Sequence, residues 1–391
     1  MFLNATLRRN PELVRAAIRL HRDGDIPPDT YVIDLDTVAA NATQLASSAH
    51  THGIELFFVC KHLGRNPAAI ATIAEHLPQA AAIDVHEARL LHRCGVRLGN
   101  AGHLVQLPER DIDDIVSRRP QAVTVFNLDK ARSVTHAAAK HGLRQPLLAR
   151  LTDDGDSFYP GQEGGIPLAA LEEFATEVAR LPGAQLAGLT SFPCLLYQPV
   201  TAQLEATPNL RTLLHGRHLL EAAGRPVTWI NAPSATCVAA MPTLAAWGVT
   251  HAEPGHALTG TVPLHAHDMD QPERPALVYV SEVSHLLPNG QPAIFGGGFY
   301  SRADIHHTLL TRNPDTDGLL WPVEPAPADN IDYYRLLAEP DGTADAHPGD
   351  TAVLAFRTQI FVTRSTVAAV AGLATGHPHL AGLYDPFGRP L

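Results

Sequence analysis

Between residues 31 and 253 short apolar runs alternate with longer segments of helical periodicity, and this alternation limits the possible folds more than any other feature of the chain. After an opening run at 31–36, eight more runs read as strands: 55–61, 80–85, 96–101, 122–126, 146–151, 185–192, 227–232 and 250–253. In the first of these, Leu-Phe-Phe-Val-Cys leads without a break into Lys61, the near-continuous apolar pattern of a strand buried on both faces. The segments between them are helical, as at 37–52, where Val38, Ala42, Leu45 and Ala49 recur at helical spacing before Gly53 stops the helix. Strands that alternate with helices predict a parallel α/β architecture, and eight of them predict a (β/α)8 TIM barrel. A doubly wound open sheet is the rival, but the Gly-x-Gly-x-x-Gly that often follows its first strand is absent. Beyond residue 270 the pattern becomes β-rich and is broken by Pro- and Gly-heavy loops; 313–332, with its prolines and acids, reads as a long surface loop. The expected division is a barrel at 28–268, with 1–27 and 269–391 forming a mostly β C-terminal domain.

The chain has 391 residues, 45% of them apolar, which is enough for a barrel and a smaller domain. Lys and Arg number 29 against 40 Asp and Glu, a net charge of -11, so no nucleic-acid partner is expected; a small acidic metabolite can still enter a locally basic pocket. No apolar run approaches the roughly eighteen residues of a membrane span, and the start lacks a basic-then-apolar leader pattern. Cys60, Cys94, Cys194 and Cys237 are scattered, with no Cys-x-x-Cys spacing. Together these features predict a reduced, cytoplasmic protein with no membrane partner. His265-Ala-His267-Asp268 is the one metal-like spacing; it reads as a solvated loop, and no metal is expected.

The carboxyl ends of barrel strands form one rim, where α/β barrels keep their chemistry. Read there, the sequence gathers Lys61, Asp84 with His86, His103, Asn127, Arg150, Ser191 with Phe192, Asn231 with Ser234, and Glu253. A lysine that closes an apolar strand must reach water, be paired or be used, and a desolvated amine is what a Schiff-base enzyme requires. The eighth strand runs into Glu253-Pro-Gly255-His-Ala-Leu-Thr-Gly260-Thr261, whose glycines let backbone N–H groups close on a phosphate, with the Ser234 hydroxyl nearby to join them.

These residues resemble the fold-type III pyridoxal phosphate enzymes, the group of alanine racemase and the ornithine and diaminopimelate decarboxylases. Asp34-Leu-Asp-Thr-Val-Ala-Ala-Asn41 is similar to the family's opening strand and helix, and Phe57-Phe-Val-Cys-Lys61 to its Schiff-base strand. Val85-His-Glu-Ala-Arg-Leu-Leu-His-Arg-Cys-Gly95, Leu186-Ala-Gly-Leu-Thr-Ser-Phe192 and Glu253-Pro-Gly255 continue the match, which covers roughly residues 30–265 and is closest to the YhfX-like branch. The resemblance implies pyridoxal 5'-phosphate as cofactor, bound as a Schiff base to Lys61. It implies Glu253 at the pyridine nitrogen, where a carboxylate favours the protonated ring. Arg150 would stand near the phenolic oxygen, Phe192 against the ring, and Ser234, Gly255 and His256 at the phosphate. Alanine racemases have an arginine in place of Glu253, and the decarboxylases have one in place of His256.

For the second domain the resemblance implies an acid–base group supplied by a partner subunit, and hence a homodimer with shared active sites. Gly296-Gly-Gly-Phe-Tyr300-Ser-Arg302 is the best candidate segment, with Tyr300 as the catalytic group and Arg302 as a substrate contact. Arg357, read as lying inside an apolar strand, needs a counter-charge that a substrate carboxylate or an internal acid would provide. The expected function is a racemase or epimerase acting on the α-carbon of an amino acid. A decarboxylase is the alternative suggested by Glu253, although the decarboxylases' Cys-Asp motif is missing. An aldolase or dehydratase for D-hydroxy amino acids and a non-catalytic cofactor carrier stand further back. The sequence does not identify the substrate.

Overall fold

The structure, a computed structural model, describes residues 1–300, 305–313, 318–327, 329–340 and 345–391. The chain divides into two compact units: Thr43–Val59 with Ile73–Gly255, and Met1–Ala42, Cys60–Thr72 and His256–Leu391.

The first unit is the barrel. Its strands follow the hydrogen-bonded order Glu55–Leu56, His251–Ala252, Trp229–Asn231, Ala184–Thr190, Gln145–Thr152, Ala122–Val125, Arg97–Ala101 and Gln79–Ala82. All the pairings are parallel. The ring closes through a parallel bridge between Phe58 and Ala80, where the Phe58 amide donates to the Gln79 carbonyl and the Ala81 amide to the Phe58 carbonyl, each at 3.0 Å. The closing strand is shorter than its apolar run suggests. It pairs at Glu55 and Leu56, touches once more at Phe58, and ends where the Val59 amide donates to the Pro254 carbonyl at 2.9 Å. Phe57 fills the interior, and Gly99 on a facing strand is required there because a Cβ at 99 would overlap the Phe57 ring. Near the amino-terminal strand ends, Trp229 and His251 stack with ring centroids 4.2 Å apart, and burial lowers the His251 pKa to about 4, so this imidazole is a neutral packing group.

The second unit is built on a sheet that, among the described residues, has nine strands. Its main order is Leu319–Pro322, His307–Thr311, Thr351–Leu354, Leu277–Leu286, Thr30–Asp34, Thr366–Ala371 and His379–Tyr384. Residues 30–34, counted with the barrel from the sequence, lie instead at the middle of this sheet, antiparallel to Leu277–Leu286 and parallel to Thr366–Ala371. A strand buried along its whole length reads the same in either sheet, so periodicity alone could not assign it. The helix Pro11–Arg22 covers one face: Leu13, Val14, Ala17 and Ile18 share a core with Val32, Val278, Val280 and Val353. Asn10 caps that helix by accepting the Leu13 amide, and its own amide donates to Asp34 at 2.8 Å, which ties the helix start to the central strand.

Two other expectations are corrected in this unit. The segment 313–332 is not loop throughout: Leu319–Pro322 pairs with His307–Thr311, Trp321 is buried, and Pro322 sits at the last position of an edge strand, where a missing N–H is tolerated. Arg357 is not inside a strand; the strand Thr351–Leu354 ends before it, and Arg357 is exposed. Among the described residues no helix is long and apolar enough to cross a membrane.

The packing of Phe57 gives a direct test. Gly99→Ala should lower the unfolding free energy by about 1–3 kcal/mol through overpacking, read as a drop in the urea midpoint; an unchanged midpoint would mean the barrel interior is looser than described.

Candidate active site

Inside the barrel a set of polar side chains centres on Glu253, which is 7% exposed. Asn100 and Asn231, from the strands Arg97–Ala101 and Trp229–Asn231, both donate their amide N–H to Oε1 of Glu253, at 3.0 and 2.9 Å. Asn100 is fixed in turn by the Thr124 hydroxyl at 2.9 Å, and Asn231 lies 3.4 Å from the Thr190 hydroxyl. His103 places Nε2 3.8 Å from the other oxygen, Oε2. Four strands therefore hold one carboxylate in a single orientation. The two amides meet the same oxygen, so Oε2 is the one left to meet a further group.

Arg150 lies near the carboxyl end of the strand Gln145–Thr152 and is fully buried. Its guanidinium stacks over Phe126 at 4.7 Å, and Nη2 donates to the Gln162 carbonyl at 2.6 Å. Nε and Nη1 have no hydrogen-bond partner, and among the described residues no carboxylate comes within ion-pair distance. Burial pulls its pKa down to about 10. An uncompensated buried cation is costly, and an anionic oxygen is the kind of group that would relieve it. Phe192 is half-buried, edge-on to His103 at 5.6 Å and tilted against Tyr159 at 5.8 Å. Ser234 has φ 102 and Ala235 φ 50, a left-handed stretch that costs energy for residues with a Cβ. The Ser234 hydroxyl donates to the Leu195 carbonyl at 2.7 Å, which leaves its oxygen lone pairs as its free capacity.

Lys61 belongs to the second unit and opens the short 3-10 turn Lys61–Leu63, three residues past the bridging Phe58 instead of in a strand. Gly64 ends that turn in the left-handed region. The Lys61 amine and the Arg65 guanidinium lie over the same Phe361 ring, at 5.8 and 5.4 Å from its centroid. His62 and His256 face each other with centroids 4.9 Å apart. Burial, with Lys61 and Arg357 adding positive charge, pushes His62 down to about 3; His256 falls well below the usual imidazole value for the same reasons. Both rings are therefore neutral at neutral pH. Gln359 donates to Nε2 of His256 at 3.3 Å, and Nδ1 lies 3.1 Å from the Thr261 hydroxyl, so both ring nitrogens have protein partners. His256 then contributes no charge to a phosphate; Gly255 directly precedes the turn His256–Thr259.

The remaining expected residues are only partly brought together. The Tyr300 hydroxyl donates to the Arg357 carbonyl at 2.9 Å. Arg302 lies outside the described residues. His265 is not in a solvated loop: it is buried in the short helix Pro263–His267, accepts the Val262 amide at Nδ1 and pairs through Nε2 with buried Glu273 at 3.2 Å. Among the described residues no group of three His, Cys, Asp or Glu side chains could hold a metal. Of the expected rim groups, Asp84 and Asn127 are helix caps, accepting the Glu87 and Lys130 amides at 2.8 Å. Asn100 was missed from the sequence, although a lone Asn inside an apolar strand was the available signal. So was the pairing of His62 with His256, which no spacing shows.

Comparison with known proteins agrees with this architecture. Residues 33–263 match the family model described as alanine racemase, N-terminal domain, and residues 278–380 match the YhfX-like, C-terminal domain. The chain is 42% identical, over 100% of both sequences, to a protein of Escherichia coli (strain K12) called "Uncharacterized protein YhfX". An alanine racemase of Clostridium difficile 630 solved in complex with cycloserine superposes with a TM-score of 0.63 at 16% identity, covering 92% of this chain and 99% of the other. The D-threonine aldolase of Filomicrobium marinum superposes at 0.66 with 15% identity, covering 93% and 96%. At such identities the two structures establish a shared fold.

Two measurements test the electrostatics. Arg150→Met removes an unpaired buried charge, so in the absence of added ligand it should raise stability by on the order of 1–3 kcal/mol; a loss of stability by thermal denaturation would mean the guanidinium has an internal partner. His62 is harder to protonate in the folded protein, at about 3, than in the unfolded chain near 6.5, so stability is lost progressively as pH falls from the upper value to the lower. Between pH 7.5 and 4.5, His62→Asn should lose less stability than the parent, by on the order of 1–2 kcal/mol in urea titrations; parallel losses would contradict a neutral buried His62.

Proposed function

We propose that this chain, which belongs to the alanine racemase family through its N-terminal domain, is a pyridoxal 5'-phosphate enzyme that racemises or epimerises an amino acid at the α-carbon, with Lys61 as the cofactor-bearing residue. The observation that carries the reading is Arg150, a fully buried guanidinium with two nitrogens unpartnered. Such a group fits the phenolic oxygen of the cofactor, and nothing in the barrel replaces that partner. The bound cofactor would supply an electron sink that makes the α-proton of an attached amino acid removable.

The protein's own residues have separable tasks in this reading. The Lys61 amine would hold the cofactor and would take or return the α-proton on one face. Glu253, oriented by Asn100 and Asn231, would present Oε2 to the pyridine nitrogen and keep that nitrogen protonated. Phe192 would pack against the ring. Ser234 and the backbone at Gly255 and His256 would take the phosphate, with His256 positioning the loop as a neutral group. Tyr300, with Arg302 and Arg357, is proposed for the opposite face and the substrate carboxylate, supplied across a homodimer.

One observation favours a second reading. A carboxylate in the Glu253 position follows the decarboxylases instead of the racemases, so decarboxylation of an amino acid is the alternative. An aldolase or dehydratase for D-hydroxy amino acids, or a carrier without turnover, lacks a comparable observation here. Incubation of the cofactor-loaded protein with L- and D-amino acids in heavy water separates the outcomes by proton NMR and chiral analysis. Racemisation puts deuterium at the α-position and yields the other enantiomer; decarboxylation yields the amine. Independently, Lys61→Ala should abolish the yellow absorbance and borohydride-fixable cofactor of the parent. A fixable cofactor retained in that variant would sink the assignment of Lys61.

A further inference from the structure

We infer that the β-rich unit carries a second small-molecule site, one for a zwitterionic α-amino acid, in the cavity lined by Asp29, Arg364, Phe295, Tyr333 and Tyr334. This cavity has a volume of about 320 Å³, with Pro28 and Gly296 completing its wall, and none of the residues around Lys61 described above lines it. The volume sits at the lower end of the roughly 300–1,000 Å³ of small-molecule pockets, which suits an amino acid better than a nucleotide or a larger cofactor.

The wall is built around a carboxylate. Asp29 is held at φ 62, a left-handed conformation that is costly outside glycine and is kept where the surroundings impose it. Its Oδ1 accepts the Tyr279 hydroxyl at 2.9 Å and also the Ser365 hydroxyl, which fixes the carboxylate while leaving its other lone pairs for a ligand. Among the described residues no cation is paired with it; Arg364 acts on it only through space, and burial pushes its pKa up to about 6. An ammonium group would provide the missing counter-charge. The second acid of the region is already used: Asp332 accepts the Gly297 and Phe299 amides at 2.8 and 3.0 Å and faces Arg335 at 3.4 Å.

This arrangement also accounts for the glycine triplet of the sequence. A Cβ at Gly296 would crowd the Asp332 carbonyl, at Gly297 it would overlap the Asp29 carboxylate, and at Gly298 it would overlap the Tyr279 ring. The three glycines allow the backbone to pass between these side chains, so they serve close packing around the cavity instead of loop freedom.

The other walls match the rest of an amino acid. Arg364 gives one N–H to the Asp332 carbonyl and rests over Tyr333 at 5.8 Å, which leaves further guanidinium donors for a carboxylate. Tyr334 packs between Phe295 at 5.9 Å and His285 at 4.9 Å, giving an aromatic surface suited to an ammonium or an apolar side chain.

The test uses the full chain as Lys61→Ala, without cofactor, so that its outcome does not depend on the reading of Lys61. The common L-amino acids and D-alanine are screened by saturation-transfer NMR, with glycine ethyl ester as an ammonium-only probe and propionate as a carboxylate-only probe. Binding of at least one amino acid is expected, weakened about tenfold or more by adding Asp29→Asn. Arg364→Gln should weaken that amino acid and leave the ester unchanged. Both probes should bind more weakly than the amino acid. If Asp29→Asn does not fold, Tyr334→Ala, which alters a side chain 42% exposed, takes its place with the same expected loss. No amino acid bound up to about 10 mM, or binding untouched by the cavity variants, overturns the proposal.

Discussion

The bond from the Val59 amide to the Pro254 carbonyl, at 2.9 Å, ends the barrel's closing seam, and the placement of two candidate site residues follows from it. It is where the first and last strands of the barrel cease to pair, and it sets the point at which each leaves the ring. Lys61 follows two residues after the donor, and His256 two residues after the acceptor. Because the strand pairing ends at Phe58, the chain is free to turn into the 3-10 turn that begins at Lys61, and the lysine avoids a fully buried strand position. Had the apolar run 56–61 paired along its whole length, the amine would be committed to the strand ladder.

Much of this was legible in the sequence, for identifiable reasons. The barrel strands announce themselves because each is short, apolar and followed by helical spacing. Lys61 and Glu253 stand out because a charged residue at the end of such a run must reach water, be paired or be used. The limits are equally specific. The run 31–36 pairs in the second unit, and full burial on both faces conceals which sheet a strand has joined. Asn100 reaches a partner 153 residues away in sequence, so no local pattern reports the bond. Arg357 lies beside apolar neighbours but beyond the end of the strand; hydrophobicity continues past the hydrogen bonding. The glycine triplet gives no local sign of its cause, which is Asp332, the Asp29 carboxylate and the Tyr279 ring packed against it.

The polar groups set into the two units are of three kinds. Glu253, Asn100, Thr124 and Asn231 form a connected set in which most donors and acceptors answer one another, so they add rigidity at modest cost. Arg150 and Asp29 are held by neighbours that satisfy part of each group and, among the described residues, leave the charge without a counter-ion. Proteins tolerate this where function repays the loss of stability, and the two cases sit in different units. His62 and His256 are the third kind: burial, with Lys61 and Arg357 adding positive charge, keeps both rings neutral.

The position of Thr30–Asp34 has a bearing on how the chain is made. This strand is made before either of its partners: Thr30 pairs with Val280 on one side and Thr366 on the other. At about 5–20 residues per second, the second of these partners is synthesised on the order of twenty to seventy seconds later. For that interval Tyr31, Val32 and Ile33 form an apolar edge without its sheet, while all the barrel strands are made. The nascent chain thus carries an unpaired strand through the synthesis of the whole barrel, and an unpaired apolar edge is open to wrong pairing for all that time.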